Sequence, residues 1–324
     1  MKKHNQVLIA VLALQVALVA LIFWPRSAAS GGESEPLLGD LASGDIVALT
    51  IEDADGERLA LSVQTGSWTL PEADGYPAQD DKIAELLEKL TTLNTGRLVT
   101  RTGASHKRLQ VARDNFVRRI DLDTAEGKKY TLYIGSSPSN GAVHIRLEGE
   151  NETYLTSNLN TWEIGATPNS WVNTQYLSVV QDNLIAVTLQ NANGEWTLLK
   201  DDEGMWTLAG LAQDEELDSS GVNGLVNQAS AVTLLRPLGT EEKPSYGLDQ
   251  PQAVVTLQSE EKTITLYVGV KHPQDNSYVV KSSESPYYVR VNEFSVKNLV
   301  ETARDDFLQL PPTPTPEQPA GEGG

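Results

Sequence analysis

The chain repeats itself. Residues Ile46–Leu70, IVALTIEDADGERLALSVQTGSWTL, align without a gap to Leu184–Leu208, LIAVTLQNANGEWTLLKDDEGMWTL, at an offset of 184 − 46 = 138 residues. Shared positions include Ala48/Ala186, Thr50/Thr188, Gly56/Gly194, Gly66/Gly204 and the triplets Trp68-Thr69-Leu70 and Trp206-Thr207-Leu208. A duplicated pattern constrains the fold strongly, because each copy is one supersecondary unit with the same positions to bury. Val47, Leu49 and Ile51 alternate before the first turn, and Leu59, Leu61 and Val63 alternate after it. In the second copy Ile185, Val187 and Leu189 do the same. Period-two alternation around Asp-Gly or Asn-Gly reads as a hairpin, since its turn needs positive φ.

The stretch Asp53-Ala54-Asp55-Gly56 also looks like part of a calcium loop, but the comparison of copies argues against it. An EF-type loop with its glycine at Gly56 would need side-chain ligands at Ile51 and Ser62, and isoleucine has none while serine is no bidentate glutamate. The second copy reads Asn191-Ala192-Asn193-Gly194, which keeps the turn and drops the charge. No metal and no cofactor is expected.

The similarity continues beyond the hairpins. Asp80–Leu93 carries Ile83, Leu86, Leu87, Leu90 and Leu93; Ser219–Val232 carries Val222, Leu225, Val226, Ala229 and Val232. Both series step i, i+3, i+4, i+7, i+10, one apolar face of a helix. Asp80 or Asp81, and Ser219 or Ser220, stand where side-chain oxygens cap free backbone N–H groups. YTLYIG (Tyr130–Gly135) then matches ITLYVG (Ile264–Gly269), and at that spacing Tyr154 falls on Tyr288 and Asn158 on Asn292. The expected units are 45–178 and 183–310, each an α+β repeat: an antiparallel sheet with a packed amphipathic helix.

The two ends read differently. Val7–Trp24 is an apolar run of 18 residues with Gln15 as its one polar member. At about 1.5 Å per residue it is long enough as a helix for the hydrocarbon core. Lys2 and Lys3 favour a cytoplasmic N-terminus. The expectation is a cytoplasmic segment 1–6, a transmembrane helix 7–24 and a linker 25–44. Ser27–Ser30, SAAS, offers the small residues of a cleaved signal peptide, but the run exceeds a usual signal core. Residues 311–324 are rich in proline and glycine and read as a disordered tail.

Composition excludes several functions. The formal net charge of −19 argues against nucleic acid as a partner. The chain has no cysteine, which removes disulfides, thiol nucleophiles and thiolate metal sites. Its four histidines, His4, His106, His144 and His272, share no metal-ligand spacing. There is no G-x-S-x-G elbow, P-loop, H-E-x-x-H or S-x-x-K set. Acidic neighbours such as Asp201-Asp202 and Asp305-Asp306 read as solvated loop residues.

Four features together resemble a bacterial family, domain of unknown function 4340. They are the single N-terminal apolar helix, the Trp-x-Leu strand end before a capped helix, YGLDQP (Tyr246–Pro251) leading into AVVTLQSEEKTITLYVG, and YVVKSSESPYYVRV (Tyr278–Val291) with a closing RDDFL (Arg304–Leu308). The first unit departs from the pattern, with SHKRLQV (Ser105–Val111) in place of the Tyr-Gly-Leu-Asp-x-Pro stretch. The resemblance implies a membrane-anchored extracytoplasmic protein, single-pass in a bacterial inner membrane with its bulk in the periplasm. It also implies an accessory role beside an ABC-type transporter, whose subunits would be the membrane-protein partners. It carries over no catalytic residue.

Two groups of residues stand out as candidate sites. The repeat motif comprises Gly56, Trp68, Gly194, Trp206, Tyr246, Gly247 and Pro251, which read as turn and packing positions. Trp68 and Trp206 could alternatively line a groove. The second group is a local reversal of charge: Arg97, Arg101, Lys107, Arg108, Arg113, Arg118 and Arg119, against Asp114 alone. Such a patch could dock on anionic headgroups or an acidic partner surface, or be neutralised by neighbouring carboxylates. The function expected is non-catalytic binding or scaffolding. The alternatives are a binding module for an envelope polymer or small ligand, and a hydrolase with a dispersed carboxylate site.

Overall fold

A computed structural model of the protein describes Gln15 and residues 34–157 and 159–309. The expected membrane helix 7–24, apart from Gln15, lies outside the described residues, as do the segment 1–6, Asn158 and the tail 311–324. Among the described residues no helix is long and apolar enough to cross a membrane. The protein is a sheet-rich α+β structure with two large sheets, a two-stranded ribbon and few helices. Its contacts divide it into two compact units. Unit 1 holds the chain up to Ile46, Asp53–Asp55 and Ala84–Ile164; unit 2 holds Val47–Glu52, Gly56–Ile83 and everything from Gly165 on.

The strands in order are β1 (Ile46–Asp53), β2 (Arg58–Gln64), β3 (Ser67–Leu70), β4 (Tyr76–Pro77), β5 (Leu98–Thr100), β6 (Val111–Ala112), β7 (Asn115–Phe116), β8 (Arg118–Thr124), β9 (Lys129–Ile134), β10 (Ala142–Leu147) and β11 (Thr153–Ser157). They continue as β12 (Gln175–Ser178), β13 (Leu184–Asn191), β14 (Gly194–Lys200), β15 (Trp206–Leu208), β16 (Ala231–Gly239), β17 (Ala253–Ser259), β18 (Thr263–Lys271), β19 (Tyr278–Ser282) and β20 (Tyr288–Val291). The helices are α1 (Asp80–Thr91), α2 (Ser219–Ser230) and α3 (Lys297–Glu301).

Within unit 1 the neighbours run β8-β9-β10-β11-β5. Alternate residues point to one face of a strand, so Ile120 and Leu122 of β8, Leu132 and Ile134 of β9, and Val143 and Ile145 of β10 are all buried. The strand β5 ends this run and pairs with β11, Thr153 opposite Thr100 and Tyr154 opposite Leu98. The ribbon β6-β7 is separate.

Unit 2 contains a nine-stranded sheet, β12-β16-β20-β19-β18-β17-β13-β14-β15, antiparallel throughout. The order β17-β18-β19-β20-β16 in it repeats the order β8-β9-β10-β11-β5 of unit 1. The helix α2 buries Val222, Leu225, Val226 and Ala229 and packs on β16, β17 and α3. Its cap lies one residue before the spacing predicts: Asp218 Oδ1 accepts from the Ser220 N–H at 2.9 Å. Asp80 takes a different role, accepting from the Trp68 N–H at 2.7 Å.

The neighbours β4-β3-β2 also lie in unit 2, and named bonds explain their grouping with later residues. Asp74 Oδ2 accepts from the Thr240 N–H at 2.7 Å. Tyr76 and Tyr287 stack edge-on at 4.7 Å, and Tyr287 Oη donates to the Gly75 carbonyl at 3.2 Å. Gln79 N–H donates to the Trp171 carbonyl at 2.7 Å.

Both hairpins form, with different turns. In β1-β2 the pairing ends at Glu52 opposite Arg58, and the Asp55 N–H bonds Asp53 Oδ1 at 3.0 Å. In β13-β14 it continues to Asn191 opposite Gly194, leaving a two-residue loop. Gly56 and Gly194 both adopt positive φ, +87° and +146°.

Candidate functional site

The seven basic residues of the charge reversal separate into two sets. Arg118 is half-buried and structural: Nε donates to the Ile164 carbonyl at 2.7 Å and Nη1 to that of Val117 at 2.8 Å. Arg119 pairs with Asp121 at 3.0 Å, Lys107 with Asp114 at 2.5 Å and Arg113 with Glu148 at 3.2 Å. The Lys107 ammonium holds the Asp114 carboxyl below its ordinary range. Carboxylates therefore neutralise one part of the stretch, as one of the two expectations has it. Arg97, Arg101 and Arg108 are exposed, and none of the ion pairs among the described residues involves them.

Arg97 and Arg101 flank β5, where two aliphatic side chains are also left in water: Leu98 is 40% exposed and Val99 42% exposed. Strand alternation puts Arg97, Val99 and Arg101 on one side. Among the described residues β5 has a paired neighbour on its β11 side alone. Its counterpart in the repeated order, β16, pairs with β12 over Ala231, Val232 and Thr233, ahead of the residues that face β20, Leu234 to Gly239. Charged residues on a short edge discourage sheet-to-sheet pairing; here they also leave a basic edge with an apolar centre. Beside it lies a cleft of about 290 Å³ lined by Lys89, Leu93, Arg97, Leu155 and Leu159 among others.

The chain enters unit 1 at this same place. Leu37 N–H donates to the Leu93 carbonyl at 2.7 Å, Thr95 N–H to that of Glu35 at 2.9 Å, and Pro36 bridges to Asn94. Ser34 lies against Gly96, one residue from Arg97.

The repeat motif occupies packed and partly open positions. Tyr246 is buried with Val279 and Tyr288, and Leu238 and Leu248 pack against that cluster. Gly247 follows it at φ +64°, with Val270 where a side chain would have to go; Pro251 is half-buried. Trp68 and Trp206 are both half-buried. Trp206 lines a cleft of about 330 Å³ with Asp182, Lys200, Met205 and Asn223, and the Lys200 ammonium sits 5.3 Å from its ring centre.

Sequence reasoning missed two cations that bind carbonyls inside the fold: Arg146, buried, and Lys281, half-buried. Arg146 donates from Nε to the Val111 carbonyl at 2.7 Å and from Nη1 to the carbonyls of Leu147 and Glu150. Its guanidinium lies 4.5 Å from the Tyr133 ring centre. Lys281 donates to the carbonyls of Ser282 and Ser285, the same i+1 and i+4 positions, and burial lowers its pKa. The signal was present as RLEGE and KSSES before the second strand of each hairpin, but a charged residue inside a strand reads as solvent-facing without the fold.

Three carboxyls are shifted by their surroundings. Glu215 is held down to about 2 by Arg304, and Asp275 to about 2 by hydrogen bonds from Ser277. Burial, aided by Glu152, pushes the Glu150 carboxyl up. Among the described residues no group of three or more His, Asp or Glu side chains is arranged to hold a metal ion.

A duplicated order of strands, with a basic, partly apolar edge at β5 in the first half, defines a sheet-rich α+β protein built of two related halves. The chain belongs to the family described as Domain of unknown function (DUF4340), whose model matches residues 68–245. That span starts at Trp68 and encloses the whole basic stretch. No curated protein and no solved structure matches the chain.

Proposed function

We propose that this protein is a non-catalytic binding or scaffolding protein, anchored by residues 7–24 in a bacterial inner membrane, with tandem α+β repeats over 45–178 and 183–310 in the periplasm. Its role is that of an accessory to an ABC-type transporter. The observation that supports this most is the β5 edge: Arg97 and Arg101 without ion pairs among the described residues, and Leu98 and Val99 exposed between them, beside the residues through which the chain arrives from the expected anchor. An anchor raises the concentration of such a surface at a membrane partner.

The test is crosslinking in native membranes, followed by recovery of the protein and mass spectrometry, for the full chain and for a form beginning at residue 31. Transporter subunits recovered with the full chain and diminished with the shorter form support the reading. Recovery of the protein alone from both overturns it. A second reading, a module for an envelope polymer or small ligand, is favoured by the cleft that Trp206 lines, since an aromatic wall with a few polar groups suits such ligands. A screen of envelope glycans by tryptophan fluorescence, with Trp206→Phe as the control, decides it.

A further inference from the structure

We propose that the β5 edge docks on the membrane itself, with Arg97 and Arg101 taking the phosphodiester groups of anionic phospholipids. This rests on the anchored reading above and names what its basic edge meets. Three observations carry it.

The first is the path of the chain. Its continuous described part begins at Ser34, beside Gly96. The residues between Trp24 and Ser34 can span at most about 35 Å when fully extended, at about 3.5 Å per residue, and roughly half that as a flexible coil. The edge is therefore tethered close to the bilayer, whatever the rest of the protein does.

The second is chemistry. Arginine binds phosphate through a planar fork of donors and is weakly hydrated. Arg97 and Arg101 have no carboxylate partner among the described ion pairs, whereas Lys107, Arg113 and Arg119 each have one. Leu98 and Val99 offer aliphatic groups suited to the interfacial region.

The third is the whole-molecule field. At a net charge of −19 the protein is repelled by an anionic leaflet, so a local basic edge dictates which side approaches it.

The experiment uses the full chain. It contains no cysteine, so Ala104→Cys, an exposed position in the loop after β5, accepts a single fluorophore. The labelled protein is reconstituted in phosphatidylcholine vesicles, with and without phosphatidylglycerol, each carrying a lipid-borne energy acceptor. Flotation after an alkaline wash reports anchoring independently. The expected result is greater energy transfer with phosphatidylglycerol, abolished by high salt. Arg97→Gln and Arg101→Gln should each weaken the docked population roughly five-fold, from about 1 kcal/mol per basic residue at an anionic surface. Unchanged circular dichroism shows that the variants fold. Equal transfer in both lipids from floated protein overturns the docking while leaving the anchor intact. Failure to float overturns the anchored reading and the docking with it. Lipid dependence that survives both substitutions assigns it to other residues and overturns the proposal. Binding of a hexaglutamate peptide to the edge, with no lipid dependence, makes the partner an acidic chain and likewise overturns it.

Discussion

Ser105–Val111 and Tyr246–Pro251 share almost no sequence, yet the backbone does the same thing in both. In unit 1, Leu109 and Val111 press on Gly135, the glycine that follows β9. In unit 2, Tyr246 and Leu248 press on Gly269, the matching glycine within β18. Each loop then places its next residue in the left-handed region: Gln110 at φ +55° and Gly247 at φ +64°. Glycine takes that conformation freely, while a residue with a Cβ pays roughly 1–2 kcal/mol. The conserved element between the copies is therefore the approach of a loop carbonyl to a glycine, and the loop sequence is free to drift.

The largest effect should come from breaking that approach. A Cβ at Gly135 would collide with the Leu109 carbonyl, and one at Gly269 with the Tyr246 carbonyl. Gly135→Ala and Gly269→Ala should each destabilise by about 3 kcal/mol, at the upper end of overpacking costs, read by urea unfolding. If one is neutral, the two loops are not equivalent and the comparison fails there.

Next come Arg146 and Lys281. Arg146→Met removes a donor from the carbonyls of Val111, Leu147 and Glu150, of which that of Leu147 keeps the Glu150 N–H, and should lose about 2 kcal/mol, since unsatisfied buried acceptors cost about 1–3 kcal/mol. Lys281→Met removes a donor from two carbonyls, that of Ser282 keeping the Ser285 N–H, and its ammonium already resists burial, so about 1 kcal/mol is expected. Equal losses would mean that neither the third carbonyl bond of Arg146 nor its closer ring contact, 4.5 Å to Tyr133 against 5.5 Å from Lys281 to Tyr288, adds stability.

These elements show what the sequence could reveal. Hairpins, the two main helices and the matched strand ends were legible because apolar periodicity and Asn-Gly or Asp-Gly turns are local signals. The open edge was not: β5 has three residues, and its place at the end of the run depends on which strand takes β11, which is a matter of tertiary order. The pairing of Lys107, Arg113 and Arg119 was equally hidden, because their carboxylate partners are identified by strand register rather than by spacing. Division of the chain into contact units also follows distant bonds, such as Asp74 to Thr240, that no window of sequence contains.

The loss of charge in the second hairpin turn has a reason that only its surroundings give. Asn191 Nδ2 donates to the carbonyls of Leu299 and Thr302, and Asn193 Nδ2 to that of Glu301. A carboxylate cannot donate. Asn193→Asp should therefore cost about 1 kcal/mol, while Asp55→Asn in the first turn stays within about 0.5 kcal/mol, as surface changes do. Thermal unfolding of both variants checks the contrast, and equal shifts would remove it.

Acid should separate the two units by sign, with the smallest effects. Glu215 and Asp275, in unit 2, titrate near 2 in the folded protein, below their unfolded values. The unfolded chain then binds more protons, so stability is full above about pH 4 to 4.5 and is lost as pH falls toward about 2. Glu150, in unit 1, is shifted upward by burial; there the folded state binds more protons, and stability rises as pH falls through its folded pKa. Glu215→Gln should lower the melting temperature at neutral pH and flatten its acid decline. Glu150→Gln should raise it at neutral pH, and the gain should vanish by about pH 3, where both forms are neutral. A common sign for the two substitutions would show that Arg304, on one side, and burial, on the other, do not set these carboxyls apart.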